Sequence, residues 1–266
     1  MKAITLRTLR DMKSRGEAFS CLTCYDATFA GAMARAGVEV ILIGDSLGMV
    51  LQGHDSTLPV TTDDMAYHTA AVARGNRQSL IMADMPFMSY ATVAETLTNA
   101  ATLMRAGAHL VKLEGGAWLC ERVTQLAQGG IPSCVHLGLT PQSVNVLGGY
   151  RVQGRGEASS SQLIEDACAV VAAGAALILL ECVPTDLAKR VQATVDVPVI
   201  GIGAGPHCDG QVLVLHDMLG IHHAKPARFV KDFLQAGDGS IEGAFRCYIE
   251  QVKSGDYPAP EHAFAD

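Results

Sequence analysis

Four carboxylates each close a short apolar run: Asp45 after Val40-Ile41-Leu42-Ile43-Gly44, Asp84 after Leu80-Ile81-Met82-Ala83, Glu114 after Leu110-Val111-Lys112-Leu113, and Glu181 after Leu177-Ile178-Leu179-Leu180. One acid in such a place says little, because a chain leaving the core has to turn polar somewhere. Four of them, with Lys112 and His136 beside them, point to a single charged mouth. Asp45 and Asp84 end neighbouring strands, where like charges repel unless a cation stands between them. Every obvious donor is an oxygen, which suits Mg²⁺ better than Zn²⁺. Lys112 and Glu114 lie two apart and share one strand face. They are either a structural ion pair, or a cation for a substrate carboxylate beside an acid that holds metal-bound water. Glu181 precedes Cys182-Val183-Pro184, an apolar setting expected to raise its pKa and suit it to general-base work. His136 reads as a substrate contact or a lining residue rather than a ligand.

The remaining exits carry Tyr25-Asp26, Ser46 beside Asp45, the loop 201–205 and His216-Asp217. Gly201-Ile202-Gly203-Ala204-Gly205 lacks the spacing of a dinucleotide fingerprint and has no Lys-Ser/Thr partner, so close backbone approach explains it better than phosphate binding. The stretch 138–156 is long for a connection in such a fold and is placed to close over a substrate. His222-His223 reads as a solvated loop.

These residues are set out by a repeated unit of helix end, glycine, strand and acid. It occurs at Arg35-Ala36-Gly37 to Asp45, Arg105-Ala106-Gly107 to Glu114, and Ala172-Ala173-Gly174 to Glu181. Further strands at 18–23, 79–83, 132–136, 197–200 and 211–215 bring the count to eight, separated by helical stretches such as 63–74 and 91–105. Eight strands alternating with helices in 266 residues predict an α/β fold, a (β/α)₈ TIM barrel forming a single domain over 1–266, with its active face at the C-terminal strand ends. An open doubly wound sheet is the other arrangement this alternation permits. Residues 1–17 are expected to form an N-terminal helix capping the barrel bottom, and 225–253 the last two helices.

Twenty Lys and Arg against 27 Asp and Glu give a net charge of −7 with no basic run, which argues against nucleic acid as a partner. The longest apolar run, 167–180, is too short for a spanning helix. No secretory signal is evident, so a soluble, cytoplasmic protein with no membrane partner is expected. The eight cysteines fall mostly within apolar runs and read as buried thiols, the Cys21-x-x-Cys24 pair included, because residues three apart on a strand face opposite ways.

With these positions in place, the sequence resembles the ketopantoate hydroxymethyltransferase (3-methyl-2-oxobutanoate hydroxymethyltransferase) family from about Thr5 to Val252. The strings that carry the resemblance are 44–50 (GDSLGMV), 83–87 (ADMPF), 111–116 (VKLEGG), 136–142 (HLGLTPQ), 201–205 (GIGAG) and 209–214 (DGQVLV). The resemblance implies a (β/α)₈ barrel, Mg²⁺, 5,10-methylenetetrahydrofolate as co-substrate, a homo-oligomer built as a decamer, and a place in pantothenate and coenzyme A synthesis. It implies metal acids at Asp45, Asp84 and Glu114, keto-acid contacts at Ser46, Lys112 and His136 together with the two metal aspartates, and a general base at Glu181. The activity implied is transfer of a hydroxymethyl group to 3-methyl-2-oxobutanoate through a metal-stabilised enolate, giving 2-dehydropantoate and tetrahydrofolate. Two positions depart from the pattern: Cys24 where Ala is more usual, and Met88 where Gly is common. Two other classes remain open, a Mg²⁺-dependent carbon–carbon lyase of the phosphoenolpyruvate mutase and isocitrate lyase kind, and a non-catalytic scaffold. The lyase's usual cysteine-containing loop motif is not seen.

Overall fold

A computed structural model of the chain describes residues 3–221 and 225–265, so His222 and His223 lie outside the described residues. The predicted strands all form, with ends shifted by one or two residues: β1 (Phe19–Thr23), β2 (Val40–Ile43), β3 (Leu80–Asp84), β4 (Leu110–Glu114), β5 (Ser133–Gly138), β6 (Leu177–Glu181), β7 (Val199–Ile202) and β8 (Gly210–Leu213). They pair in parallel and in order, and β1 returns to pair with β8 through Phe19↔Gly210 to Leu22↔Leu213. The sheet is therefore a closed barrel, and the open doubly wound alternative is excluded. Gly210 permits a close approach at this seam, since a Cβ at position 210 would lie 2.5 Å from the Phe19 ring.

Outside the strands run α1 (Leu6–Arg15), α2 (Ala27–Ala36), α3 (Leu47–Val50), α4 (Thr62–Gly75), α5 (Val93–Ala106), α6 (Cys120–Gln128), α7 (Val144–Leu147), α8 (Glu157–Ala172), α9 (Thr185–Thr194), α10 (Leu215–Met218), α11 (Phe233–Ala236) and α12 (Ile241–Ser254). Capping boxes start α4 at Thr61 with Asp64 and α5 at Thr92 with Glu95, satisfying backbone N–H groups that a helix leaves unpaired. Gly37 and Gly107 end their helices in the left-handed conformation, as the repeated unit requires. In the third unit Ala173 is the cap and Gly174 takes the left-handed turn one residue later.

α1 lies across the barrel's N-terminal end, as expected for a cap. Leu9 and Met12 are buried beneath it, and Lys13 donates to Asp209 Oδ2 (3.0 Å) just ahead of β8. Asp209 in turn accepts from Val199 N and Gln192 Nε2, so one carboxylate ties α1, α9 and β7 together. At the seam, α12 sends the buried Tyr248 hydroxyl to the carbonyls of Cys21 and Gln211, one on each side of closure. All eight cysteines are unpaired; five are buried, Cys120 and Cys247 are partly so, and Cys168 is exposed because it falls on the outer face of α8. Among the described residues no helix is long and apolar enough to cross a membrane.

The departure at Met88 has a backbone consequence. Ser89 N donates to Pro86 O (3.0 Å), closing a turn in which Met88 has φ +60° and a side chain left 59% exposed. That is the turn position where glycine is favoured. Met88→Gly removes a left-handed penalty at the expense of a more flexible unfolded chain, so it is expected to stabilise the protein by about 0.5–1 kcal/mol. Urea unfolding would show the gain as a higher midpoint at constant slope; an unchanged or lower midpoint would mean that the Met88 side chain makes contacts worth as much as the strain.

Candidate active site

Register in the parallel barrel brings the predicted residues together. Asp84 stands opposite Lys112, Glu114 opposite His136, and Glu181 opposite Gly138, so acids and bases alternate around one end of the barrel. They surround a cavity of about 840 Å³ that Ser46, Tyr150 and His216 also line. Asp26 does not join them; it is exposed and caps α2 by accepting from Thr28 N and Phe29 N. The loop 201–205 turns on close approach: a Cβ at Gly203 would meet the Phe229 ring at 2.8 Å, and one at Gly205 would meet Thr185 Oγ1 at 2.6 Å.

Lys112 is the hub. Its Nζ lies 3.0 Å from Asp84 Oδ1, 3.5 Å from Glu114 Oε1 and 3.3 Å from His136 Nδ1. His136 continues the chain, with Nδ1 3.3 Å from Glu114 Oε1 and Nε2 3.4 Å from Glu181 Oε2. Asp45 is placed from the other side, where its backbone N–H donates to Asp84 Oδ2 (3.0 Å). Ser46 Oγ is 2.9 Å from the Tyr25 hydroxyl, which fixes its direction. Beyond Glu181 the backbone turns sharply: Cys182 has φ +47° and is held by bonds to Ile202 O and from Gln153 N. The apolar setting expected around Glu181 is only partial, since its side chain is 16% exposed to the mouth while those of Asp84, Lys112, Glu114 and His136 are sealed.

Burial governs the charge states. It pushes the Asp45 carboxyl well up, and the nearby Asp84 and Glu114 push it further. Asp84 is raised for the same first reason, although Lys112 opposes the shift. Burial also works against Lys112, but Asp84, Glu114 and Asp45 outweigh it and hold the ammonium charged. Glu114 is held below the usual carboxylate range despite its burial, because Lys112 and His136 face it and Gln142 N–H donates to it. His136 is raised to about 9, with Glu114 and Glu181 overcoming burial and the Lys112 charge.

Within this charged cluster Asp84 Oδ1 and His136 Nε2 are buried without a hydrogen bond, as are Thr57 Oγ1 and His216 Nδ1 elsewhere on the cavity wall. Asp84 Oδ1 has the Lys112 ammonium at ion-pair distance but out of hydrogen-bond alignment. An under-satisfied carboxylate oxygen beside a second buried carboxylate fits an oxygen-seeking divalent cation. The Glu114 oxygens already face Gln142 N, Lys112 and His136. Among the described residues no three His, Cys, Asp or Glu side chains gather as a metal cluster. Two protein carboxylates, with other oxygens completing the shell, is the usual pattern for Mg²⁺.

The sequence matches the ketopantoate hydroxymethyltransferase family over residues 3–260. The chain belongs to that family. Proteins named 3-methyl-2-oxobutanoate hydroxymethyltransferase from Psychrobacter arcticus and Marinobacter nauticus are 62% and 63% identical to it, each over 98% of this chain and 99% of its own length. One named 3-methyl-2-oxobutanoate hydroxymethyltransferase 2 from Pseudomonas entomophila is 59% identical over the whole of both chains. Similar solved structures are far more distant. A phosphonopyruvate hydrolase complexed with oxalate and Mg²⁺ superposes with a TM-score of 0.61 at 13% identity, over 79% of this chain and 80% of its own. A putative lyase/mutase from Burkholderia cenocepacia gives 0.60 at 18% identity over 97% of both chains. At that distance they share the fold with this ketopantoate hydroxymethyltransferase family member, a hydroxymethyltransferase enzyme by its close relatives.

Sequence reasoning gave no role to Gln142 or Tyr90 and named Tyr25 only as a strand-exit residue, yet the fold brings all three to the site. Gln142 donates through Nε2 to Asp45 Oδ2 (2.8 Å), Tyr90 donates to Gln142 Oε1, and Tyr25 orients Ser46. Gln142 stood in the string 136–142, where its polar end in an otherwise apolar and turn-forming run was the available signal. Tyr90 gave none, being one of several aromatics in loops.

Asp45→Asn keeps the shape of the side chain and removes a buried charge. In chelator-containing buffer it is expected to raise stability at pH 7 by roughly 1–2 kcal/mol. The sign follows from a folded-state pKa above the unfolded one: the wild-type carboxyl stabilises the fold only below about pH 4 relative to higher pH, and that contribution is lost as pH rises. The gap between variant and wild type should thus be widest near neutrality and close on acidification. Calorimetry from pH 4 to 8 would read it, and a pH-independent gap would assign the effect to packing.

Proposed function

We propose that this chain transfers a hydroxymethyl group from 5,10-methylenetetrahydrofolate to 3-methyl-2-oxobutanoate, with water supplying the hydroxyl, to give 2-dehydropantoate and tetrahydrofolate in pantothenate synthesis. The observation that carries the reading is the convergence of Asp45, Ser46, Asp84, Lys112, Glu114, His136 and Glu181 on one mouth in a chain about 60% identical to relatives bearing that name. A homo-oligomer, by resemblance a decamer, and a cytoplasmic location belong to the same reading.

Asp45 and Asp84 would hold a Mg²⁺ ion, with Glu114 behind them. When bound, the ion supplies Lewis acidity to the keto oxygen of the substrate and so acidifies its C3 hydrogen. The protein's own groups do the rest. The Lys112 ammonium, kept charged by its acidic neighbours, and the Ser46 hydroxyl, aimed by Tyr25, bind the substrate carboxylate. Leu179, Ile202 and Val212 line the same cavity and accommodate the two methyl groups at C3. Glu181, the most open of the four strand-end acids, removes the C3 proton, and His136 at 3.4 Å orients its carboxylate. The enolate carbon then attacks the folate-borne methylene.

Turnover of 3-methyl-2-oxobutanoate with and without methylenetetrahydrofolate tests the proposal. Product that forms only with the folate supports it; folate-independent carbon–carbon cleavage would move the protein to the lyase class. Enolisation is separately observable. With Mg²⁺ and keto acid but no folate, the C3 hydrogen should exchange with deuterated solvent, followed by nuclear magnetic resonance against a no-enzyme control. Glu181→Gln keeps the shape but removes the basic lone pair, so exchange should fall by about 10²–10⁴-fold. Exchange at the wild-type rate in that variant would assign the proton transfer to another group, His136 first.

A further inference from the structure

We propose that Gln142, itself held by Tyr90, is a positioning residue that aims the Asp45 carboxylate for cation binding. The inference rests on the cation reading of the proposed function and adds to it two residues that contact neither substrate nor reacting atoms.

Gln142 lies in the turn Pro141–Ser143, within the long connection after β5, yet it is almost wholly buried. Its amide has two donors and one acceptor oxygen to satisfy. Nε2 uses both donors, on Asp45 Oδ2 (2.8 Å) and on Met85 O (3.0 Å). Oε1 accepts from the Tyr90 hydroxyl (2.5 Å), and the backbone N–H of Gln142 donates to Glu114 Oε2 (2.9 Å). The opposite amide orientation would set Oε1 against a carboxylate oxygen and a carbonyl oxygen, so the chemistry permits only the one observed. One residue therefore fastens the exits of β2, β3 and β4 to the loop that follows β5.

Tyr90 is in turn held firmly. Its ring stacks on Trp118 with centroids 6.2 Å apart, and its hydroxyl is 3.3 Å from both the backbone O and the backbone N of Glu114. The order of dependence runs from Trp118 to Tyr90 to Gln142 to Asp45. The last torsion of a carboxylate is soft, and fixing one oxygen fixes where the other points. A neutral amide does this without cancelling the charge; a lysine in the same place would neutralise Asp45 and compete with a cation. Residues behind metal ligands that act in this way control affinity although they never touch the ion.

The test uses Mn²⁺ as the probe, titrated into the full-length protein without keto acid or folate and followed by calorimetry and by electron paramagnetic resonance of the free ion. Gln142→Met fills similar space without donors and should raise the Mn²⁺ dissociation constant by about 10–100-fold. Tyr90→Phe removes only the hydroxyl and should raise it by a smaller factor. Thermal melting in chelator is the control, because a merely structural role would lower the melting temperature and leave the dissociation constant alone. A folded Gln142→Met with wild-type affinity overturns the proposal. Should that variant fail to fold, Tyr90→Phe decides: a weaker site supports the proposal and an unchanged one overturns it. No saturable Mn²⁺ binding by the wild type would sink the cation reading and this inference together, whereas wild-type binding matched by both variants sinks this inference alone.

Discussion

A lysine buried among carboxylates is the constraint on which this site depends. Lys112 stays charged inside the barrel because Asp84 and Glu114 lie 3.0 and 3.5 Å away, and those acids are tolerable there because Lys112 and His136 face them. Burying any of these groups alone would be costly, since a lone charge in a poorly polarisable interior loses its hydration without compensation. The arrangement is still unbalanced. Four carboxyl groups face two basic ones, and the excess collects at Asp45 and Asp84: burial raises both, Asp84 and Glu114 push Asp45 further, and Glu114 adds to the rise of Asp84. A site that is electrostatically incomplete in this way is built to receive positive charge.

Such a cluster needs walls that do not relax around it. Closed parallel pairing supplies them, because every strand is hydrogen-bonded on both sides and each acid or base lies at a strand's last residue or within two residues of it. The ends of the barrel are secured separately, by α1 through Lys13 and Asp209 at the bottom and by α12 through Tyr248 across the β1–β8 seam. Stability is thus concentrated in the barrel wall and its N-terminal end. The mouth carries groups that the fold would be more stable without, a division typical of proteins that trade stability for a working site.

The barrel and the chemistry have different reach among relatives. Structures of phosphonopyruvate hydrolase and its neighbours share the architecture at 12–18% identity, so eight strands in this order do not by themselves specify a reaction. The resemblance of the chain to hydroxymethyltransferases was first visible in strings at and beside the strand exits, such as 44–50, 83–87 and 111–116.

Much of this was readable in one dimension. Apolar runs of strand length, each ended by a charged residue, fixed the strands and their polarity, and the period of two placed Lys112 and Glu114 on one face because side chains alternate along any strand. Those are local rules, and they held to within a residue or two. Barrel closure was not local: its β1–β8 seam pairs Phe19 with Gly210, nearly two hundred residues away, where a Cβ would collide with the ring. The full set of partners of Glu114 was equally out of reach, since Lys112, His136 and the backbone of Gln142 meet it together from three parts of the fold. The apolar neighbours of Glu181 in sequence did not seal it, because alternate residues of a strand point away and the space in front of the carboxyl belongs to other strands. Composition and periodicity determine which residues leave the core and in which direction. Which of them meet, and which second residue holds the first in place, is decided by register and loop conformation, where contacts between distant parts of the chain set the energy.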